Sequence, residues 1–287
     1  MVGSALKDVW ISIDVEPDIS NYLSGSFLGI HVGLPGILGI LKDHRIIADF
    51  FVLGEVAESL PDAVRRIFVD GHVVGSHSLT HRHICEMTLS DQVHAIQTSI
   101  DSLTRITGQP TKMFRAPNFS ANGNTVRALA QVGVPLDSSV LPGRYAPRWK
   151  IRKTYDHRRA PRAPYRASVD DVDAPGQSSV IEVPVTENPL QPRTPIGLGF
   201  LNSHSVEETL KAISVSDGAY AAFLIHPWEA VDLSVQGSGL PAWLGSACKS
   251  DLKPLDMFLK AVSGNAQFTT ISQLRETVLA REAALHQ

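Results

Sequence analysis

Gly71-His72-Val73-Val74-Gly75-Ser76-His77-Ser78-Leu79-Thr80-His81 sets two imidazoles four residues apart, directly after a short apolar run. Val73 and Val74 read as a strand that delivers His77 at its end. On a helix, residues i and i+4 share a face. A helical reading of 77–81 would therefore let His77 and His81 converge on one divalent ion, a spacing that zinc sites use. Alone the pair is a weak signal, because surface histidines fall at this spacing by accident. Its partners must come from elsewhere in the chain.

Upstream, Val9, Ile11, Ile13 and Val15 alternate with Trp10, Ser12 and Asp14 and run into Glu16-Pro17-Asp18, so an apolar strand delivers carboxylates at its C-terminal end. Residues 46–53 read as a second strand, preceded by a Gly-rich loop over 21–36 and a short helical pattern over 37–43. Pro61 opens a helix that Gly71 stops. Downstream, Thr88 or Ser90 caps a helix whose stripe of Val93, Ile96, Ile100, Leu103 and Ile106 ends at Gly108 and Pro110. A short strand over 112–115 leads into Arg115-Ala116-Pro117-Asn118, and a helix over 125–133 follows. Strands over 180–185 and 219–225 flank a helix with a capping box at Ser205-Val206-Glu207-Glu208. The second of them ends at His226. Two C-terminal patterns, 252–262 and 272–284, read as helices packed on the outside. Alternating strands and helices predict the α/β class with a parallel sheet, and in a barrel of that class the C-terminal strand ends carry the chemistry. Asp14 with Glu16, His77 with His81, Arg115, and His226 all stand at such ends. Four separate termini thus offer one compatible set.

The 287 residues, 43% hydrophobic and 19% charged, fit one soluble globular domain over 1–287 with a sizeable core. A net charge of -3 gives no global attraction to nucleic acid. Cys85 and Cys248 form no metal-binding or redox spacing and read as free thiols in a reducing compartment. The first residues lack a basic stretch followed by an apolar one, and no transmembrane segment is expected, so the expected localisation is cytoplasmic. The stretch 143–179 is Pro-rich and basic: nine residues between Arg144 and Arg166 are Lys or Arg, against Asp156 alone. It reads as a solvated insertion loop, with an anion-facing rim toward a substrate phosphate or a lipid head group as the functional alternative.

Four segments carry a resemblance. Ser12-Ile13-Asp14-Val15-Glu16-Pro17, His77-Ser78-Leu79-Thr80-His81 with its lead-in Asp70-Gly71-His72-Val73-Val74-Gly75, Phe114-Arg115-Ala116-Pro117-Asn118-Phe119-Ser120, and Phe223-Leu224-Ile225-His226-Pro227-Trp228-Glu229 resemble, in order, the motifs of the polysaccharide deacetylases. This is the NodB-homology or carbohydrate esterase family 4 group. The resemblance implies a distorted, NodB-like (β/α) barrel of about seven parallel strands, one divalent metal, and hydrolysis of an N-acyl group, chiefly N-acetyl, on an amino sugar. Carried over by motif position, His77, His81 and Glu16 are the metal ligands, with Zn2+ the expected ion and Co2+, Ni2+ or Mn2+ the alternatives. Asp14 is the general base, although Asp14 and Glu16 could exchange roles. Arg115 orients Asp14, and His226 protonates the departing amine. Asn118, Pro117 and Trp228 face the substrate, Asn118 through a backbone N–H toward the oxyanion.

The chain also departs from the family's pattern. Val15 separates two acids that the family usually holds side by side, as in its Asp-x-Asp or Asp-x-Glu subgroup. Asn118 stands where a tyrosine is common, and Ile181-Glu182-Val183-Pro184-Val185-Thr186-Glu187 lacks the usual fourth-motif Asp and Trp, leaving Glu182 or Glu187 as substitutes. His31, His72 and His83 have no partner spacing and read as structural. The expected partner is an amino sugar linked to nucleotide or lipid phosphate during glycan biosynthesis, with oligomerisation open. Two rival readings are a hydrolase of a small amide or ureide, allantoinase-like or deformylase-like, and a catalytically silent glycan-binding module.

Overall fold

Strand β1 (Asp8–Val15) is buried along its whole length from Val9 onward. Its alternation sorts side chains to two sides: Val9, Ile11, Ile13 and Val15 join the largest apolar cluster, under the helices, while Trp10 belongs to a second cluster inside the curl of the sheet. The computed structural model describes residues 6–19, 25–146, 155–233 and 240–285. Among them a ten-stranded, mostly parallel sheet forms around β1.

The elements follow in chain order: α1 (Leu34–Asp43), β2 (Asp49–Val52), α2 (Gly54–Ser59), α3 (Pro61–Val69), β3 (Val73–Ser76), α4 (Leu89–Thr107), β4 (Met113–Phe114), α5 (Gly123–Val132) and β5 (Leu136–Asp137). Then come β6 (Tyr165–Arg166), β7 (Ile181–Glu182), β8 (Ile196–Gly197), α6 (Leu198–Ser203), α7 (Val206–Val215), β9 (Tyr220–Ile225), α8 (Trp243–Ala247), α9 (Lys253–Ser263), β10 (Phe268–Thr269) and α10 (Ile271–Leu285). The sheet order is β6-β7-β5-β4-β3-β2-β1-β9-β8, with β10 paired to β1 and only β6 antiparallel. Beyond β7 the chain bends back toward the far edge. Thr186 Oγ1 accepts from Ala222 N at 2.8 Å and its carbonyl accepts from Ile196 N at 3.4 Å, so the curl closes on irregular backbone. This is the distorted (β/α) barrel, with short strands added to the expected count.

The caps sit where side-chain chemistry puts them. Thr88 Oγ1 accepts from Asp91 N, Gly108 and Gly133 take left-handed φ of +72° and +76°, and Ser205 accepts from Glu208 N.

Three expectations are corrected. The stretch 29–36 is helical, beginning with a π-helical turn at Gly29–Gly33 that runs into α1. Its glycines serve close packing: a Cβ at Gly29 would lie 2.4 Å from Trp228 N, and one at Gly33 2.2 Å from the Pro227 carbonyl. Helix α10 sends Ile271, Leu274 and Val278 into the cluster that holds Trp10 and Phe51, whereas α9 alone packs among the outer helices. The stretch 155–179 is no solvated loop, since Ala160, Tyr165, Ala167 and Val172 join a third cluster with α4 and α5 residues. The basic residues Arg148, Lys150, Arg152 and Lys153 lie outside the described residues.

Inside the barrel Asp49 accepts from Trp10 Nε1 at 2.6 Å and from Ile271 N at 2.7 Å, and burial pushes its carboxyl up to about 6. Below the ordinary value of 3.8 both folded and unfolded chains hold the proton, and above about 6 the folded chain bears a buried charge. This group therefore withdraws stability as pH rises through that window. Asp49→Asn keeps an acceptor and removes the charge. The melting-temperature difference, variant minus wild type, should grow from pH 4 to pH 7 by the equivalent of about 3 kcal/mol; a pH-independent difference would contradict it.

Candidate active site

The turn after β3 is fixed by α2. Gly54 N and Glu55 N, first-turn amides without helical partners, donate to the carbonyls of Ser78 and Leu79, each at 2.9 Å. Gly54 leaves the room, since a Cβ there would sit 2.9 Å from Leu79 Cδ1. The segment 77–81 is a bend with Ser78 at φ +72° and not a helical turn. Tertiary hydrogen bonds thus replace helical periodicity in bringing the two rings to 5.7 Å.

Glu16, two residues after Asp14 on the same side of the chain, meets both histidines. Its Oε2 lies 2.7 Å from His81 Nε2 and 3.5 Å from His77 Nε2, and one ligand atom from each of the three residues falls within 4.8 Å of the others. His77 Nδ1 is 2.9 Å from the Arg115 carbonyl, which can only accept. Nδ1 must therefore donate, and neutral His77 turns a lone pair at Nε2 toward an anionic oxygen. Two acceptors facing each other need a cation or a proton between them. Burial raises Glu16, but the neighbouring imidazoles, the charge of His81 first, outweigh it and hold the carboxyl well below its usual range. The N2O donor set and its burial fit a divalent ion with further positions open. Trp228 Nε1 donates to Glu16 Oε1 at 3.1 Å and fixes the carboxylate from behind.

Asp14 stands beside this triad. Arg115, fully buried, donates from Nη1 to Asp14 Oδ1 at 2.7 Å, and from Nε and Nη2 to the carbonyl and hydroxyl of Ser138, each at 3.0 Å. Across from it His226 Nε2 lies 4.0 Å from Asp14 Oδ2. The carboxylate beside His226 is Glu229, whose Oε2 is 3.5 Å from Nδ1 and accepts from His226 N at 2.8 Å. Burial disfavours the imidazolium, yet Glu229 first and then Glu16 and Asp14 overcome this and hold His226 up at about 9.

Neither proposed substitute for the fourth-motif acid fills that place. Glu182 accepts from Val140 N at 3.0 Å and is pushed well above its usual range by burial and by Asp137, with which the parallel register pairs it. Glu187 pairs with Arg162 at 3.0 Å.

A cavity of about 700 Å³ opens over the group, lined by Asp14, Glu16, His77, His81, His226, Trp228 and Glu229. Asn118, Phe119 and Arg144 also line it, as do Phe200, His204 and Trp243. Asn118 and Phe119 take φ of +56° and +58° on this wall, a conformation that costs on the order of 1–3 kcal/mol per residue. Pro117 is not on the cavity. It is buried behind its neighbours, its carbonyl accepting from Ser120 N and Oγ. Reading the residues one at a time missed Glu229 and Arg144; for Glu229 the available signal was an acid three residues after the histidine.

The polysaccharide deacetylase family model matches residues 7–136. Over this stretch, just under half of the chain, the sequence is similar to that family. It is 37% identical over 83 residues to a peptidoglycan-N-acetylglucosamine deacetylase of Bacillus cereus, covering 29% of this chain and 30% of that protein. It is 34% identical over 104 residues to a chitin deacetylase of Colletotrichum lindemuthianum, covering 34% and 42% respectively. The matches thus span about a third of these relatives. A solved Mycobacterium smegmatis structure assigned to the polysaccharide deacetylases superposes with a TM-score of 0.65 at 19% identity, covering 98% of this chain and 96% of that one, which shows the shared fold.

Elemental analysis of the protein should find about one divalent ion per chain, lost in His77→Ala and in His81→Ala. Trp228→Phe, which removes the donor behind Glu16, should weaken metal affinity roughly 10- to 100-fold. Full occupancy in both histidine variants would refute the site.

Proposed function

We propose that the protein is a metal-dependent amide hydrolase that removes an N-acetyl group from an amino sugar. The observation that carries the reading is one cavity holding a buried Glu-His-His cluster beside a carboxylate and an imidazole 4.0 Å apart. The relatives named for peptidoglycan and chitin deacetylation support the amino-sugar class.

Glu16, His77 and His81 would hold the ion, which when bound supplies Lewis acidity and a water of lowered pKa. Asp14 takes the proton from the attacking water, and Arg115 holds that carboxylate in one orientation through Nη1. The Asn118 wall faces the carbonyl oxygen as charge develops on it. His226, positive by virtue of Glu229, delivers its proton to the amine nitrogen as the C–N bond breaks. An amine leaves poorly without that proton, so the acid must stand across from the base. Acetate and a free amino group result.

The finer reading is action in the cytoplasm on a nucleotide- or lipid-linked amino sugar during glycan assembly. Cys85 and Cys248 are both buried and read as thiols, which supports a reducing compartment. Among the described residues no helix is long and apolar enough to cross a membrane.

Acetate release should be screened across N-acetyl sugars, their nucleotide and lipid-phosphate conjugates, chitin oligomers and small ureides. Release from the sugars but not the ureides is expected, and the reverse would overturn the assignment. Asp14→Asn should lower kcat roughly 10²- to 10⁴-fold, and unchanged turnover would remove its role as base.

The imidazolium form of His226 is lost as pH rises through its raised value, so activity should fall on the alkaline side. A bound cation offsets the contribution of Glu16 and places that limb below about 9. Glu229→Gln should move the limb to lower pH in the kcat profile, and an unmoved limb would exclude Glu229 as the partner of His226.

A further inference from the structure

Among the described basic residues of the stretch after Leu141, three meet acids: Arg158 pairs with Asp156, Arg162 with Glu187 at 3.0 Å, and Arg166 with Glu282 at 2.7 Å. Arg144, half-buried and on the cavity wall, pairs with no carboxylate among the described residues. Its backbone is held at both ends, with its N–H donating to the Leu141 carbonyl at 3.0 Å and its carbonyl accepting from His157 N at 2.8 Å. Its Nε donates to Tyr155 Oη at 3.1 Å, and its guanidinium carbon lies 5.5 Å from the centre of the Phe119 ring.

Tyr155 makes this a built position. Its hydroxyl donates onward to the Asn118 carbonyl at 2.9 Å, so one phenol ties the arginine to the wall beside the reacting groups. The ring is stacked on His157, centroids 5.0 Å apart. His157 in turn lies between Asp173, at 2.5 Å, and the Phe119 carbonyl, at 2.8 Å. With Nε used, the remaining guanidinium donors of Arg144 meet no acceptor among the described residues, while three carboxylates, Asp14, Glu16 and Glu229, line the same cavity. A neutral sugar gives such a cation no counter-charge. An anion gives it charge-assisted hydrogen bonds, and the arginine offsets the repulsion that the anion meets from those acids.

Resting on the deacetylase reading, we infer that Arg144 is a specificity-determining residue that binds an anionic group, phosphate or carboxylate, borne by the amino-sugar substrate. The anion-facing rim thus reduces, among the described residues, to one anchored arginine inside the cavity.

Equilibrium binding to the full chain tests this with three probes that share the acetamido sugar: N-acetylglucosamine, N-acetylglucosamine 1-phosphate and N-acetylmuramic acid. At least one anionic probe should bind roughly tenfold more tightly than the neutral one, and the phosphate and carboxylate arms tell the two sources apart. Arg144→Gln should bring that ratio to about one, Arg144→Lys should keep part of it, and added salt should shrink it in the wild type. Absence of any anionic preference in the wild type, or its persistence in Arg144→Gln, would overturn the inference. Equal weakening of all three probes would do so too, because it marks a lost prop for Phe119 and Tyr155. These Kd ratios require no turnover, so a failed deacetylase reading shows itself separately, as absent acetate release from the neutral sugar.

Discussion

The buried guanidinium of Arg115 is the constraint around which the barrel interior is arranged. A charge without water must find an opposite charge and a partner for each donor, or it costs several kcal/mol. Here β1 supplies Asp14 and the Ser12 hydroxyl, the segment after β5 supplies the carbonyl and hydroxyl of Ser138, and the ring of Phe51 from β2 lies 4.2 Å from the guanidinium carbon. The carbonyl of the same residue fixes His77, and through it the β3 turn. One residue therefore ties together β1, β2, β3 and the segment after β5, orienting the proposed base through its side chain and one metal ligand through its carbonyl. Fold and site share this joint, so a change at Arg115 should be felt in both.

Other acids lie close to that charge without competing for it. Asp137 and Glu182 face each other across β5 and β7, and burial raises both, Asp137 to about 6 and Glu182 well above its usual range. Two backbone amides, Ser139 N and Val140 N, donate to Glu182. The pair braces the Ser138–Ser139 segment, whose Ser139 Oγ accepts from Ala116 N at 2.8 Å. Asp14 is left as the carboxylate in direct contact with the arginine.

What the sequence disclosed follows from the range over which each signal acts. The alternation of β1, the caps at Thr88 and Ser205, and the terminal glycines of α4 and α5 are local, and each was readable from neighbouring residues. The acidic, histidine and arginine positions were readable because they fall at strand ends. Strands of two residues such as β4 and β5 carry too little pattern to bound. Gly29 and Gly33 looked like loop residues because glycine more often marks a turn than a close packing contact, and the contact that explains them comes from residues 227–228, far along the chain. The bend at 77–81 is set by α2, again through contacts that spacing does not encode.

The same long-range packing sets the polarity of the proposed chemistry. A carboxyl and an imidazole 4.0 Å apart share a proton that could lie on either one, and the proposed roles require it on His226. Arg115 puts positive charge against Asp14 from inside the barrel, and Glu229 puts negative charge against His226 from the far side. Glu229 can do so because residues 227–230 form a short 3-10 turn that brings the acid back over the histidine three positions earlier. That turn is seated on the helix beginning at Gly29, where any side chain larger than hydrogen would strike Trp228. Trp228, in the middle of the turn, braces Glu16 while its ring stacks on His226 at 4.7 Å. The contact between the 29–33 helix and the 227–230 turn therefore positions the proton donor, its counter-charge and the brace for a ligand together, and the absent side chains at Gly29 and Gly33 permit all three.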